Sequence, residues 1–126
     1  MGGGNGHTSI AIAEAFPNLT FVVQDLQAEK TPVLDHLKGR ISYMNYDMFT
    51  DQPIKDADVY FWRVVLHNWP DSFVLKALKS VIPALKHGAK VIIQDHGLTD
   101  PGEGRPSDEG YERLVCLIKI IQSNSN

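Results

Sequence analysis

The residues best suited to bind a ligand begin at the amino terminus, where glycine occupies four of positions 2 to 6. Glycine lets the backbone adopt positive φ and lets a ligand approach with no Cβ in the way. Thr8 and Ser9 follow, and both are residue types that cap helices. A loop that leads into a helix N-terminus presents free N–H groups, so we expect a cradle for the polar or anionic end of a nucleotide-like ligand. An unstructured Gly-rich tail is the alternative interpretation.

The spacing of these glycines separates two classes of ligand. The dinucleotide fingerprint G-x-G-x-x-G needs its third glycine at position 7 or 9, counted from Gly2 or Gly4, and the chain has His7 and Ser9 there. The tighter pattern G-x-G-x-G is met, with Gly6 as its third member. A nicotinamide-dependent reductase is therefore disfavoured, although it stays open as a third interpretation.

Polar side chains also follow three segments that are predicted to be strands. Asp25 lies 19 positions after Gly6, close to the spacing at which a carboxylate accepts hydrogen bonds from ribose hydroxyls. Asp47 and Met48 follow the next strand, where a carboxylate can accept from an adenine amino group and a thioether can pack on the ring. His67 follows the third and can act as a general base. Each aspartate alone is compatible with a helix cap or a solvated turn, but together they predict a ligand site.

Other candidate residues give weaker signals. Asp95 and His96 are neighbours, but a metal site needs further ligands at suitable spacing, so we expect no metal. Trp69 could wall a pocket beside His67, although core packing is the expected role of a single tryptophan. Cys116 lies in an apolar stretch and is expected to pack as a small hydrophobic residue.

Composition limits the class of protein. The chain has 126 residues, 43% hydrophobic and 21% charged, with a net charge of -3, which suits one globular domain with its own core. An excess of acidic over basic residues, without a long Lys/Arg run, argues against a nucleic-acid partner and favours a small-molecule partner. A single cysteine forms no internal disulfide, and no long apolar run marks a membrane span or a leader. We therefore expect a soluble, cytoplasmic protein.

Alternating strands and helices must position the candidate residues. Short apolar runs rich in β-branched and aromatic residues predict strands at 19–23, 41–46, 59–66 and 90–94. Helices are predicted from Ile10 to Phe16, from Thr31 to Gly39, and from Ser72 to Leu85 with a kink at Pro83. This alternation predicts an α/β fold with a mostly parallel, doubly wound sheet. Ligands of such sheets bind beyond the carboxyl ends of the strands, where the candidate residues fall.

Five segments carry a resemblance to a known family. They are, in chain order, GGGNGHTSIAIAEAFPNL, VVQDL, YDMF, DVYFWRVVLHNWPD and AKVIIQD. Together they resemble the plant and fungal small-molecule O-methyltransferases of the class I S-adenosylmethionine-dependent fold, over residues 1 to about 102. The resemblance implies a Rossmann-like, mostly parallel sheet with helices on both faces.

The resemblance also implies a cofactor and a role for each site residue. S-adenosylmethionine would be bound by Gly2, Gly3 and Gly4 at its methionine part, by Asp25 at the ribose, and by Asp47 and Met48 at the adenine. Arg63 stands where the family has a basic residue that contacts the cofactor, and His67 would be the general base. The acceptor would be a hydroxyl of a small aromatic or polyketide-like secondary metabolite. Family members form homodimers through an N-terminal region.

The sequence departs from the family pattern at both ends. The family's first strand would precede the glycine loop, and its absence would leave neighbouring sheet edges unpaired. Beyond Gly102 we expect a Gly/Pro-rich loop, a short helix from Asp108 to Ile121 and a polar tail, with the C-terminal strands missing. We therefore divide the chain into a truncated cofactor-binding domain at 1–102 and a divergent segment at 103–126. Two functions stay open: an O-methyltransferase fragment, or an inactive remnant that at most binds the cofactor or a partner chain.

Overall fold

The computed structural model describes residues 1–98 and 114–122. Its helices and strands are, in chain order, α1 (His7–Ala15), β1 (Phe21–Asp25), β2 (Ile41–Asn45), β3 (Val59–Arg63), α2 (Asp71–Val81), β4 (Lys90–Leu98) and β5 (Leu114–Gln122). Short 3₁₀ turns lie at Ala28–Lys30, Asp35–Leu37, Leu66–Asn68 and Ile82–Ala84.

The strands form two small sheets. β1 and β2 pair in parallel, from Phe21 opposite Ile41 to Asp25 opposite Asn45. β3 and β4 also pair in parallel, and β4 pairs with β5 in the antiparallel direction on its other side. The α/β architecture with parallel strand pairs, predicted from the alternation of apolar runs, is therefore confirmed.

Residues 1 to 3 bridge the two sheets. The Met1 amine donates a hydrogen bond of 2.7 Å to the Phe61 carbonyl of β3. The Gly3 N–H donates one of 3.1 Å to the Gln24 carbonyl of β1. Backbone groups of β1 and β3 therefore find partners in the segment that leads into the glycine loop.

Each sheet packs its own core against one helix. Against β1 and β2, Ala13 of α1 is buried with Val23, Leu37 and Ile41. Against β3 and β4, α2 buries one face; the core there is formed by Tyr60, Trp62, Leu66, Ala77, Val81, Ala84, Ala89 and Val91. Ala77 and Val81 lie on that face with Val74 and Leu78 beside them, which fits the predicted helical spacing, whereas Phe73 and Leu75 are exposed. The helix ends at Val81, and Pro83 lies in the 3₁₀ turn that follows.

The helix predicted from Thr31 to Gly39 is absent. That segment contains only the short turn Asp35–Leu37, and Thr31 is extended, with φ -82° and ψ 122°. Steric contact with a following proline pushes a residue out of the helical region. The few residues left before Gly39 would not offset the cost of starting a helix.

The predicted capping of the first helix is also wrong. α1 begins at His7, three residues earlier than predicted, and its N-cap is Gly6 with no side-chain hydrogen bond. Thr8 and Ser9 therefore lie inside the first turn. The loop glycine takes the capping position because its positive φ of 79° is the conformation in which the chain enters the helix.

A strand replaces the helix expected after residue 102. β5 pairs with β4 from Leu98 opposite Leu114 to Lys90 opposite Gln122. The helix predicted from Asp108 to Ile121 is therefore wrong over its described part, while 99–113 and the polar tail at 123–126 lie outside the described residues. The segment LVCLIKIIQ is almost continuously apolar and rich in β-branched residues, which favours a strand. One strand is thus present where C-terminal strands were expected to be missing.

Candidate functional site

The opening glycines form the predicted turn into a helix. Gly2, Gly4 and Gly6 have positive φ values of 63°, 53° and 79°, a region that glycine reaches without steric cost. The Gly6 N–H donates a hydrogen bond of 2.8 Å to the Gly3 carbonyl and closes the turn. The segment is therefore an ordered loop and not an unstructured tail.

The three candidate glycines have different surroundings. A Cβ on Gly2 would lie 2.7 Å from a methyl carbon of Val65, and a Cβ on Gly3 would lie 2.7 Å from a methyl carbon of Val23. A Cβ on Gly4 would contact no heavy atom within 4 Å among the described residues. Gly2 and Gly3 thus allow the loop to pack between strand ends, whereas Gly4 lies on its open side.

The Asp25 carboxylate is hydrogen-bonded to the glycine loop. Its Oδ2 accepts a hydrogen bond of 2.9 Å from the Gly4 N–H, and its Oδ1 accepts one of 2.7 Å from the Leu26 N–H. A carboxylate offers about four lone-pair sites, so both oxygens keep the capacity to accept from a ligand hydroxyl. The structure therefore brings Asp25 and Gly4 together at the carboxyl end of β1.

Asp47 and Met48 lie beside Asp25, after β2. The Tyr46 N–H donates a hydrogen bond of 2.9 Å to the Asp25 carbonyl, which extends the pairing of the two strands. The Asp47 Oδ1 accepts one of 2.9 Å from the Phe49 N–H within a tight turn. Asp47 is exposed, and Met48 packs against the core of β3 and α2. The two strand ends are adjacent, as expected for a parallel pair.

Arg63 ends β3 and is exposed. It lines a shallow surface cleft of about 570 Å³ together with His7 and other residues of α1. Asp25, Asp47 and His67 line neither this cleft nor a second one of about 500 Å³. The structure thus places Arg63 beside α1 and does not join it to the other predicted cofactor ligands.

The chain leaves β3 earlier than the sequence predicted. The strand was expected to reach Leu66 but ends at Arg63, because Val64 turns the backbone with a φ of 55°. Positive φ is rare for a β-branched residue. A 2.7 Å hydrogen bond from the Val64 N–H to the Gln94 carbonyl holds this conformation. A 3₁₀ turn follows and carries His67.

His67 is paired with Asp95 of β4. The His67 Nδ1 lies 2.7 Å from the Asp95 Oδ1, and the Asp95 Oδ2 accepts a hydrogen bond of 3.0 Å from the His67 backbone N–H. The side chains are 36% and 14% exposed, respectively. A carboxylate at Nδ1 favours the tautomer in which Nε2 can accept a proton, and it stabilises the imidazolium that results.

This role of Asp95 is not evident from the sequence, in which Asp95 and His96 indicate only a weak metal pair. A signal was nevertheless present. β3 and β4 are parallel neighbours, with Arg63 opposite Gln94, so the residues that follow their paired positions lie side by side.

Aromatic rings join the loop after β2 to the turn after β3. The Phe49 and Trp69 rings meet edge to face with centroids 4.8 Å apart, and the Phe49 and Phe73 centroids are 5.5 Å apart. Trp69 is 41% exposed, so the expected core position is wrong. Its ring packs in a surface cluster with Phe49 and Phe73, whereas Leu66 of the preceding turn is buried in the core.

Neither a cluster of metal ligands nor a membrane-spanning helix occurs among the residues that the structure describes. In that part of the chain, no three His, Cys, Asp or Glu side chains are grouped to hold a metal ion. None of the helices described there is long and apolar enough to cross a membrane.

Comparison with known proteins assigns the family. A family model described as an O-methyltransferase domain matches residues 1–124. The chain belongs to this family. The match extends past residue 102, into the segment that the sequence analysis described as divergent.

The relatives of this chain include fungal O-methyltransferases. It is 43% identical, over 127 residues, to the grayanic acid biosynthesis cluster O-methyltransferase of Cladonia grayi, across 96% of this chain and 27% of that protein. It is 43% identical, over 125 residues, to O-methyltransferase gsfB of Penicillium aethiopicum, across 99% of this chain and 30% of that protein. The chain therefore spans less than a third of the length of these relatives.

Solved structures share the fold. The structure of LepI in complex with SAM matches with a TM-score of 0.71 and 31% identity, over 87% of this chain and 29% of that chain. A structure described as a pericyclic reaction enzyme matches with the same TM-score, identity and coverage.

Proposed function

We propose that this chain is the cofactor-binding part of an S-adenosylmethionine-dependent O-methyltransferase, which methylates a hydroxyl of a small aromatic or polyketide-like secondary metabolite. The observation that carries the proposal is the His67–Asp95 pair. His67 lies two residues after Val65, and a methyl carbon of Val65 would lie 2.7 Å from a Cβ on Gly2 of the glycine loop. The acceptor class is supported by relatives such as the grayanic acid cluster enzyme. The SAM bound to LepI supports the cofactor.

The residues present fit this cofactor. Gly4 lies on the open side of the loop, and the Asp25 carboxylate beside it can accept from ribose hydroxyls. The exposed Asp47 carboxylate can accept from the adenine amino group, and the Met48 thioether can pack on the ring. When bound, S-adenosylmethionine supplies a methyl group on a sulfonium, from which a neutral thioether leaves. Arg63 stays a further predicted contact of the cofactor, which its long side chain would reach.

His67 is the proposed base that removes the acceptor's proton. Displacement at a methyl group needs aligned partners and an activated nucleophile. A phenol titrates near pH ~10 and attacks poorly when neutral, whereas a free imidazole is mostly unprotonated at neutral pH. The His67 Nε2 takes the proton while Asp95 holds the Nδ1–H and balances the charge of the imidazolium. General-base catalysis of this kind contributes roughly 10²- to 10⁴-fold in rate.

Cofactor titration and a transfer assay test the proposal. We expect S-adenosylmethionine to bind the purified chain in a calorimetric titration and S-adenosylhomocysteine to form with a phenolic acceptor. His67→Ala should abolish transfer and leave cofactor affinity within a few-fold, because the base contacts the acceptor. His36→Ala is the matched control, since His36 pairs on the surface with Glu14 at 3.1 Å. Equal loss of binding and transfer in His67→Ala would contradict the assignment of the base.

A second candidate is a chain that binds the cofactor, or a partner chain, without transferring a methyl group. The match to a pericyclic reaction enzyme at 31% identity favours it. Cofactor binding by the wild-type chain with no S-adenosylhomocysteine formed from any acceptor tested would support this candidate. The cytoplasmic location and the division at residue 102 stay predictions.

A further inference from the structure

Two buried glutamines lie beneath the candidate cofactor site. Gln24 precedes Asp25 in β1 and is 4% exposed, and Gln52, in the connection from β2 to β3, is 0% exposed. Their amides form two reciprocal hydrogen bonds. The Gln24 Nε2 donates to the Gln52 Oε1 at 2.8 Å, and the Gln52 Nε2 donates to the Gln24 Oε1 at 2.9 Å. Each side chain therefore fixes the position of the other.

Both amide nitrogens of this pair have a further partner, and so does one of the two oxygens. The Gln24 Nε2 lies 3.4 Å from the Met44 Sδ, and the Gln52 Nε2 lies 3.2 Å from the Met1 Sδ. The Gln52 Oε1 also accepts a hydrogen bond of 3.0 Å from the Ile54 N–H. A buried polar network with every member paired specifies one arrangement, whereas removal of one member leaves unpaired polar atoms.

The same two residues are joined to the site through their backbones. The Gln24 carbonyl accepts from the Gly3 N–H at 3.1 Å, and the Gln52 N–H donates to the Ser80 carbonyl of α2 at 3.1 Å. The Ser80 hydroxyl bonds in turn to the Met48 carbonyl at 3.0 Å. The glutamine pair therefore connects the glycine loop to the loop of Met48. Because Ser80 lies in α2, which packs on the second sheet, the pair also joins the two sheets, which share no strand pairing in the described part of the chain.

We propose that Gln24 and Gln52 are positioning residues for the cofactor site. Their reciprocal amide pair fixes the separation between the glycine loop with Asp25 and the loop that carries Asp47 and Met48. An apolar pair could fill the same volume, but it would allow the two sides to slide because dispersion contacts have no fixed partner geometry. The inference rests on the proposed function, since it concerns the affinity for S-adenosylmethionine.

Leucine variants separate positioning from stability. Gln24→Leu and Gln52→Leu should each lower the unfolding temperature, because one amide is left buried without its partner. The double variant should recover most of that loss, since both polar groups are gone. We expect its dissociation constant for S-adenosylmethionine, measured by calorimetry, to stay raised by roughly tenfold, because small misplacements of binding groups are costly. Gln27→Leu, an exposed glutamine that bonds to Lys30, is the control and should change neither quantity.

Hydrogen exchange supplies a measurement that needs no cofactor. In the double variant, the Gly3 amide should exchange roughly tenfold faster than in the wild type, while the amide of Ala77 in α2 keeps its rate. If the double variant recovers its unfolding temperature and also has the wild-type cofactor affinity and the wild-type Gly3 exchange rate, the proposal is overturned. The pair would then have a purely structural role. Failure of the wild-type chain to bind S-adenosylmethionine would instead overturn the proposed function. The Gly3 exchange rate would then still decide whether the pair positions the loop.

Discussion

His67 and Asp95 are 28 positions apart in the chain, and the carboxylate nevertheless contacts both the ring and the backbone of the histidine. Two contacts from one residue restrict both the position of the turn and the orientation of the ring. The partly exposed imidazole faces the acceptor side in our proposal, and the mostly buried carboxylate stands behind it. At the scale of residues, the base is therefore a pair and not a single histidine.

Asp95→Asn tests this pairing. The variant keeps the size of the side chain but removes the negative charge that stabilises the imidazolium, so we expect the transfer rate to fall roughly 10²- to 10⁴-fold. Cofactor affinity should stay within a few-fold, because Asp95 is placed behind the base. Steady-state kinetics with a saturating acceptor measure the rate constant, and Asp51→Asn, at an exposed aspartate, is the control. A rate close to that of the wild type would contradict the positioning role of Asp95.

At the scale of elements, Arg40 attaches α1 to the start of β2. Its Nη2 donates hydrogen bonds to the carbonyls of Ala13 at 2.7 Å, Phe16 at 2.8 Å and Leu19 at 3.2 Å. The last carbonyls of a helix have no partner within it, and a cation there also balances the helix dipole. Because α1 begins directly after the glycine loop, this contact holds the far end of the helix that the loop enters.

Arg40→Ala should lower the free energy of unfolding by about 1.5–3 kcal/mol, the range for hydrogen bonds to charged groups. Arg40→Lys should recover only part of the loss, because an ammonium group lacks the planar fork that reaches several carbonyls. Urea unfolding measures the effect. Lys38→Ala, at an exposed ion pair with Asp35, should change stability by less than about 0.5 kcal/mol. Equal effects of Arg40→Ala and Lys38→Ala would show that Arg40 does not hold α1.

At the scale of the whole molecule, polar contacts help to connect two hydrophobic cores. Residues 1 to 3 and the Gln24–Gln52 pair span the two sheets. Inside the second core, the Tyr60 hydroxyl bonds to the carbonyls of Ile54 at 2.9 Å and Ala84 at 3.0 Å. Burial raises the pKa of Tyr60 above its usual value, and burial also raises the pKa of Tyr46.

Alkaline pH should therefore destabilise the fold. Tyrosines of the unfolded chain ionise near pH ~10, whereas the buried phenols keep their protons to higher pH, so the free energy of unfolding should fall as pH rises above about 10. In Tyr60→Phe, the fall should be shallower, because Tyr46 alone continues to contribute. Urea unfolding at several pH values from neutral upward measures both slopes. An identical alkaline slope in wild type and Tyr60→Phe would contradict this account, whatever the stability of the variant at neutral pH.

Local sequence predicted most of the fold. The strands at 41–46 and 90–94 and the helix from Ser72 fall on β2, β4 and α2, because a short apolar run and a period of 3.6 residues are both properties of a short segment. The same limitation explains the errors. Apolar content alone could not distinguish a helix from a strand over Leu114–Gln122. Residue types that favour helix ends, at Thr31 and Gly39, were not sufficient for a helix to form between them.

By itself, the sequence determined the glycine turn, the first four strands and the polar residues at their ends, since each is encoded within a few neighbouring positions. Only the tertiary structure decided which residues act together. The bonds of His67 to Asp95, of Gln24 to Gln52 and of Arg40 to Ala13 join positions 28, 28 and 27 apart, respectively. Such pairs form when strands from distant parts of the chain become neighbours and buried polar groups need hydrogen-bond partners. No local sequence pattern specifies these pairs.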